Sequence, residues 1–184
     1  YSCTFTVFVG GNAGDTVTDV AVVTGEDDEG NEATDDDDED VDVTDSTPGI
    51  TVTKNANVSE VPEPGADVAF TFLIENSSVE PVTITSLVDS VFGDILAECG
   101  LAGAVLAGND STACTIVRFI GGDAGDLHTN VITVTGEDDE GNETTDDDDE
   151  DVDVTDLEPG ITIVKSADVA EVPEPGADVE FTFD

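Results

Sequence analysis

The chain has almost no positive charge: Lys54, Arg118 and Lys165 are its only lysine and arginine residues, against 46 aspartates and glutamates, for a formal net charge of −43. Polyanions are held by basic side chains that displace counterions, so nucleic-acid and phosphate partners are excluded and an anionic membrane surface is disfavoured. Methionine and tryptophan are absent, tyrosine occurs once, and His128 is the single histidine. Its equivalent in the other copy of the repeat is Val17 and nothing pairs a thiolate with a base, so cysteine–histidine catalysis is not expected. Runs of adjacent aspartates supply no apolar pocket to raise one acid's pKa, so glycosidase chemistry is not expected either, and the chain is read as not an enzyme. It has no apolar run of bilayer-spanning length, so no membrane insertion is expected in this segment; targeting segments and any anchor are expected outside it.

What the chain does have is a repeat. Residues 23–72 return as residues 134–183 at a constant offset of 111, with nine substitutions in fifty positions. Cys3 aligns with Cys114, and Gly10-Gly11-Asn12-Ala13-Gly14-Asp15 with Gly121-Gly122-Asp123-Ala124-Gly125-Asp126. The register predicts three parts: residues 1–47 as the C-terminal half of one unit, 48–158 as a complete unit, and 159–184 as the first strands of the next. A period of this length marks a tandem array of small domains, each large enough to bury a core.

The apolar residues alternate in short β-branched runs such as Val68-Ala69-Phe70-Thr71-Phe72-Leu73-Ile74 and Val131-Ile132-Thr133-Val134. Alternation of this kind is a strand signal, and no stretch sustains a helical period. Turn residues separate the runs, as in Pro62-Glu63-Pro64-Gly65 and Glu75-Asn76-Ser77-Ser78. The predicted fold class is all-β: tandem antiparallel β-sandwiches of immunoglobulin-like architecture on a 111-residue repeat.

Ile50-Thr51-Val52-Thr53-Lys54, Pro64-Gly65-Ala66-Asp67-Val68, Phe72-Leu73-Ile74-Glu75-Asn76 and Ser86-Leu87-Val88-Asp89 together resemble the "conserved repeat domain" family of prokaryotic surface proteins, a domain of unknown function. The resemblance spans the central unit and both partial ones. It implies tandem immunoglobulin-like domains in long secreted or wall-attached proteins, usually without enzymatic activity.

Twenty-six of the 46 acids fall in two blocks, Glu26 to Asp45 and Glu137 to Asp156, thirteen in each. Adjacent carboxylates about 4 Å apart repel by roughly 1 kcal/mol even in water, so such a block calls for counterions. Ca²⁺ accepts six to eight oxygen ligands in flexible geometry and fits this donor set better than Mg²⁺. Asp40-Val41-Asp42-Val43-Thr44-Asp45 reads as the last strand of a unit, so the acids are expected near the junction with the next. The predicted ligands are Glu26, Asp28, Asn31, Asp35, Asp36, Asp37, Asp38 and Asp40 in the first copy. Their counterparts are Glu137, Asp139, Asn142, Asp146, Asp147, Asp148, Asp149 and Asp151. Neither an EF-hand nor a nonapeptide β-roll fits the spacing, and the bland alternative is a solvated acidic loop with no fixed ion.

Cys99 and Cys114 flank a Gly- and Ala-rich loop and are expected to form a disulfide, with Cys3 pairing to a residue outside the chain; that usage points to an extracellular or cell-surface location. Asn57, Asn76, Asn109 and Asn142 head Asn-x-Ser/Thr sequons and are candidate glycosylation sites. These features predict a structural module of an extracellular fibre, stalk or adhesin shaft, rigidified by Ca²⁺ at acidic inter-domain junctions. Its expected partners are neighbouring repeats, and other copies where filaments form. The alternatives are a ligand-binding adhesin domain and an acidic ion-binding matrix protein.

Overall fold

The computed structural model describes residues Tyr1–Asp184. The chain is all-β, without helices. In order, the strands are β1 (Thr16–Glu26), β2 (Glu32–Asp42), β3 (Ile50–Ala56), β4 (Glu60–Pro62), β5 (Gly65–Asn76), β6 (Val82–Asp89) and β7 (Gly93–Asp94). They continue as β8 (Val105–Leu106), β9 (Ser111–Gly121), β10 (Leu127–Glu137), β11 (Glu143–Thr155), β12 (Lys165–Ala167) and β13 (Phe181–Phe183). One sheet runs β4-β11-β10-β6-β7, with β8 also on β6, and a second runs β3-β5-β9; β1-β2 and β12-β13 are separate hairpins. Every pairing is antiparallel except β4 with β11.

The two larger sheets share one apolar core of 19 buried residues, all between Ile50 and Val154, as the two layers of a sandwich do. Alternation accounts for the membership. Val68, Phe70, Phe72 and Ile74 of β5 face Ile84 and Leu87 of β6, Ile132 and Val134 of β10 and Val152 and Val154 of β11 across the interior. Each such side chain withdrawn from water contributes about 1.5–3 kcal/mol. The hairpin β1-β2 stands at the 111-residue offset from β10-β11 but has no second sheet against it, so Val23 and Val41 are exposed where their counterparts Val134 and Val152 are buried.

The acidic blocks are more ordered than a loop. Each begins at the end of β1 or β10, passes through the hairpin turn and continues as a strand, residues 32–42 of β2 or 143–153 of β11, paired with β1 or β10. Asp146, Asp147, Asp148 and Asp149 stand opposite Val134, Thr133, Ile132 and Val131, so no carboxylate in this run faces another across the ladder. The strand also sorts the acids by face. Asp146, Asp148 and Glu150 lie half-buried in line with Val152 and Val154, while Asp147, Asp149, Asp151 and Asp153 are exposed.

That sorting gives two of the acids a structural task. Asp146 Oδ2 accepts from the Val52 backbone N–H at 2.9 Å, and Asp148 Oδ2 from the Lys54 N–H at 2.7 Å. β3 and β11 belong to different sheets, so these carboxylates close the sandwich along one edge by satisfying donors that no strand pairs.

Candidate metal site at the unit junction

The site starts from a turn. Asp138 opens the β10-β11 hairpin loop, and its Oδ1 accepts from the Glu140 N–H at 3.1 Å and the Asn142 N–H at 2.8 Å, while Oδ2 accepts from Asn142 Nδ2 at 2.9 Å. Burial pushes the Asp138 carboxyl up, but the Asn142, Glu140 and Gly141 donors together hold it below its ordinary value. The same turn recurs in the first copy, where Asn31 N–H donates to Asp27 Oδ1 at 2.8 Å and the Asn31 side chain chiefly holds the Asp27 carboxyl down.

Two further segments reach this turn. β6 pairs with β10 up to Thr83 opposite Glu137, which sets the preceding Glu80 beside the hairpin loop. From the other side, the link between β2 and β3 delivers Asp45, whose Oδ2 accepts from Asn142 Nδ2 at 3.1 Å. Carboxylate oxygens of Asp45, Glu80 and Asp138 lie within 4.8 Å of one another, as do those of Glu80, Asp139 and Glu140. A cleft of about 410 Å³, lined by Gly11, Asn12, Thr44, Asp45, Glu80 and Glu140 among others, opens at this point.

The electrostatics are those of crowded acids. Desolvation, then Asp45, Asp138 and Asp139, raise the Glu80 carboxyl above its ordinary value. Its Oε1 is buried with no hydrogen-bond partner. Desolvation and neighbouring Asp139 raise Glu140 in the same way. The two groups of carboxylates are spaced so that they could hold a metal ion, which would relieve the repulsion.

Of the residues predicted from sequence as ligands, this convergence includes Asp139, with Asn142 bound to two of its members. Glu137 ends β10, and Asp147, Asp149 and Asp151 point outward along β11, where same-face neighbours are about 7 Å apart along the backbone. Asp146 and Asp148 are engaged with β3. Glu26, Asp28, Asn31, Asp35, Asp36, Asp37, Asp38 and Asp40 are exposed on the β1-β2 hairpin and its turn, outside both converging groups. Asp45, Glu80, Asp138 and Glu140 were not singled out by sequence reasoning. The Asp-x-x-Gly-Asn pattern of 138–142 marks the turn, but only the pairing of β6 with β10 brings Glu80 to it.

The Cys99–Cys114 disulfide is formed, and Cys3 is free and exposed. Asn57, Asn109 and Asn142 are exposed, but Asn76 is buried, and its Nδ2 donates to the carbonyls of Glu80, Leu106 and Ala107, leaving no free amide for a glycan. No helix is long and apolar enough to cross a membrane. No family model matches the chain, and no curated protein is similar to it.

Proposed function

We propose that this chain is part of a tandem array of immunoglobulin-like units in an extracellular fibre, stalk or adhesin shaft, and that Ca²⁺ at the unit junction stiffens the array. The observation that carries this reading is the meeting of Asp45, which precedes the central unit, with Glu80 and Asp138, which belong to it. A cation held by all three ties two consecutive units together, and a joint so tied resists bending. The disulfide is compatible with an oxidising, extracellular setting. The 111-residue repeat and the resemblance to a surface-protein repeat family support the array.

Small-angle scattering of the chain with Ca²⁺ and with chelator, alongside circular dichroism, tests this reading. A stiff joint gives a narrower distribution of distances with Ca²⁺ and a broader one in chelator, with the β-sheet signal unchanged. Identical scattering in the two conditions would sink the proposal.

A further inference from the structure

Three of the buried polar side chains that the junction does not use form one group. Lys54 in β3, Asp89 at the end of β6 and Asn130 in β10 lie on the core-facing register of their strands, in phase with Val52, Leu87 and Ile132. All three are buried, the Lys54 and Asp89 side chains completely. Lys54 Nζ is 3.1 Å from Asp89 Oδ2 and donates to the Asn130 backbone carbonyl at 2.9 Å. The Phe70 and Phe72 rings flank it, with centroids 5.2 and 5.8 Å from Nζ. Asn130 Nδ2 has no hydrogen-bond partner, whereas Asn130 Oδ1 accepts from the Ser90 hydroxyl at 3.3 Å. Ser90 Oγ is itself fixed by the Val131 N–H at 3.0 Å.

A buried ion pair is a poor way to stabilise a core, because withdrawing both charges from water offsets their attraction. An amine, a carboxyl group and an amide in one dry pocket are instead the parts of an amide-forming reaction. From this grouping we propose that Lys54 and Asn130 become joined by an intramolecular amide bond, with Asp89 as the proton carrier.

The steps balance. The Lys54 ammonium gives a proton to Asp89, and the free amine forms a bond from Nζ to Asn130 Cγ. The oxyanion developing at Oδ1 meets the Ser90 hydroxyl. Asp89 protonates Nδ2, the Cγ–Nδ2 bond breaks, and ammonia departs; Asp89 then takes back the extra proton from the attacking nitrogen. A neutral amide and a neutral carboxylic acid replace two buried charges, with no oxidant or cofactor. Desolvation, which pushes the Lys54 amine below its ordinary value against the opposing pull of Asp89, favours the nucleophilic form. Because β3 and β10 belong to different sheets, the bond staples the two layers together.

Intact mass spectrometry of the reduced, denatured chain, followed by tryptic mapping, tests the proposal. The chain is expected to be lighter than its sequence mass by one ammonia. Trypsin is expected to leave Lys54 uncut and to yield Tyr1–Arg118 joined to Phe119–Lys165. Lys54→Arg is expected to restore the full mass, and Asn130→Asp, which retains the size of the side chain, to lose one water instead. A wild-type chain at its full sequence mass overturns the proposal, as does an ammonia loss with Lys54 still cleaved, which would indicate a cyclised asparagine.

Discussion

Asp45 and Asn142, 97 residues apart in sequence, meet through a 3.1 Å hydrogen bond from Asn142 Nδ2 to Asp45 Oδ2. The same amide holds Asp138 at 2.9 Å, so one side chain links the segment before the central unit to the hairpin turn within it. Asp45 is the carboxylate through which the preceding segment enters the convergent acids. Asp45→Ala is therefore expected to weaken Ca²⁺ binding at least about tenfold, the lower end of what groups around a metal contribute. Calorimetric titration checks this, with Asp147→Ala, exposed on β11, as the control that leaves affinity unchanged.

The raised carboxyls of Glu80 and Glu140 fix the sign of a pH effect. Each ordinarily titrates at 4.5 and does so higher in the folded chain, so the folded state binds more protons than the unfolded state in the window above that value. The contribution of these groups to stability therefore falls as pH rises through the window. Metal-free protein is expected to melt higher at about pH 5 than at about pH 7.5, and Ca²⁺ is expected to flatten the dependence by neutralising the same carboxylates. Asp138 acts oppositely: its contribution is present above its ordinary value of 3.8 and is lost at lower pH as its carboxyl protonates. Scanning calorimetry across this range, with and without chelator, checks both signs.

Asp146→Ala and Asp148→Ala each remove the acceptor for a backbone N–H of β3. Each is expected to destabilise the chain by about 1–3 kcal/mol, the cost of an unsatisfied donor. Asp147→Ala and Asp149→Ala, which face solvent, are expected to stay within about 0.5 kcal/mol of the parent. Urea denaturation of the four variants separates the two faces of the strand, and equal effects on both would contradict the assignment.

Much of this fold was legible in the alternation of single strands. Phe70, Phe72 and Ile74 are buried as their spacing requires, and Val152 and Val154 turn inward while Asp151 and Asp153 turn outward. The spacing of Cys99 and Cys114 pointed to their bridge. The acidic run was harder to read, because a count of charges does not say which faces they take; β11 takes in the acids from Glu143 to Asp153, and strand parity divides them. Lys54, Asp89 and Asn130 share the parity of apolar neighbours, a signal present in the sequence but masked by their polarity. The convergence of Glu80 on Asp138 was not legible, since it depends on which strand β6 pairs with.

Reduction of the Cys99–Cys114 bond frees a loop of fifteen residues. In the chain-entropy account such a bridge is worth about 3 kcal/mol. The reduced chain, or Cys99→Ser with Cys114→Ser, is expected to unfold at correspondingly lower denaturant, while its Ca²⁺ affinity is retained because the bridge lies outside the acidic junction. An equal loss of both would contradict this separation.

The central claim is that a cation binds at the junction of Asp45, Glu80 and Asp138, and calorimetric titration of Ca²⁺ into the chelator-treated chain tests it most directly. The account expects a saturable isotherm with one or two ions per chain, a rise in melting temperature, and loss of both on Glu80→Gln. An absence of saturable heat with an unchanged melting temperature at millimolar Ca²⁺ would contradict it, as would weak uptake in proportion to the total number of carboxylates.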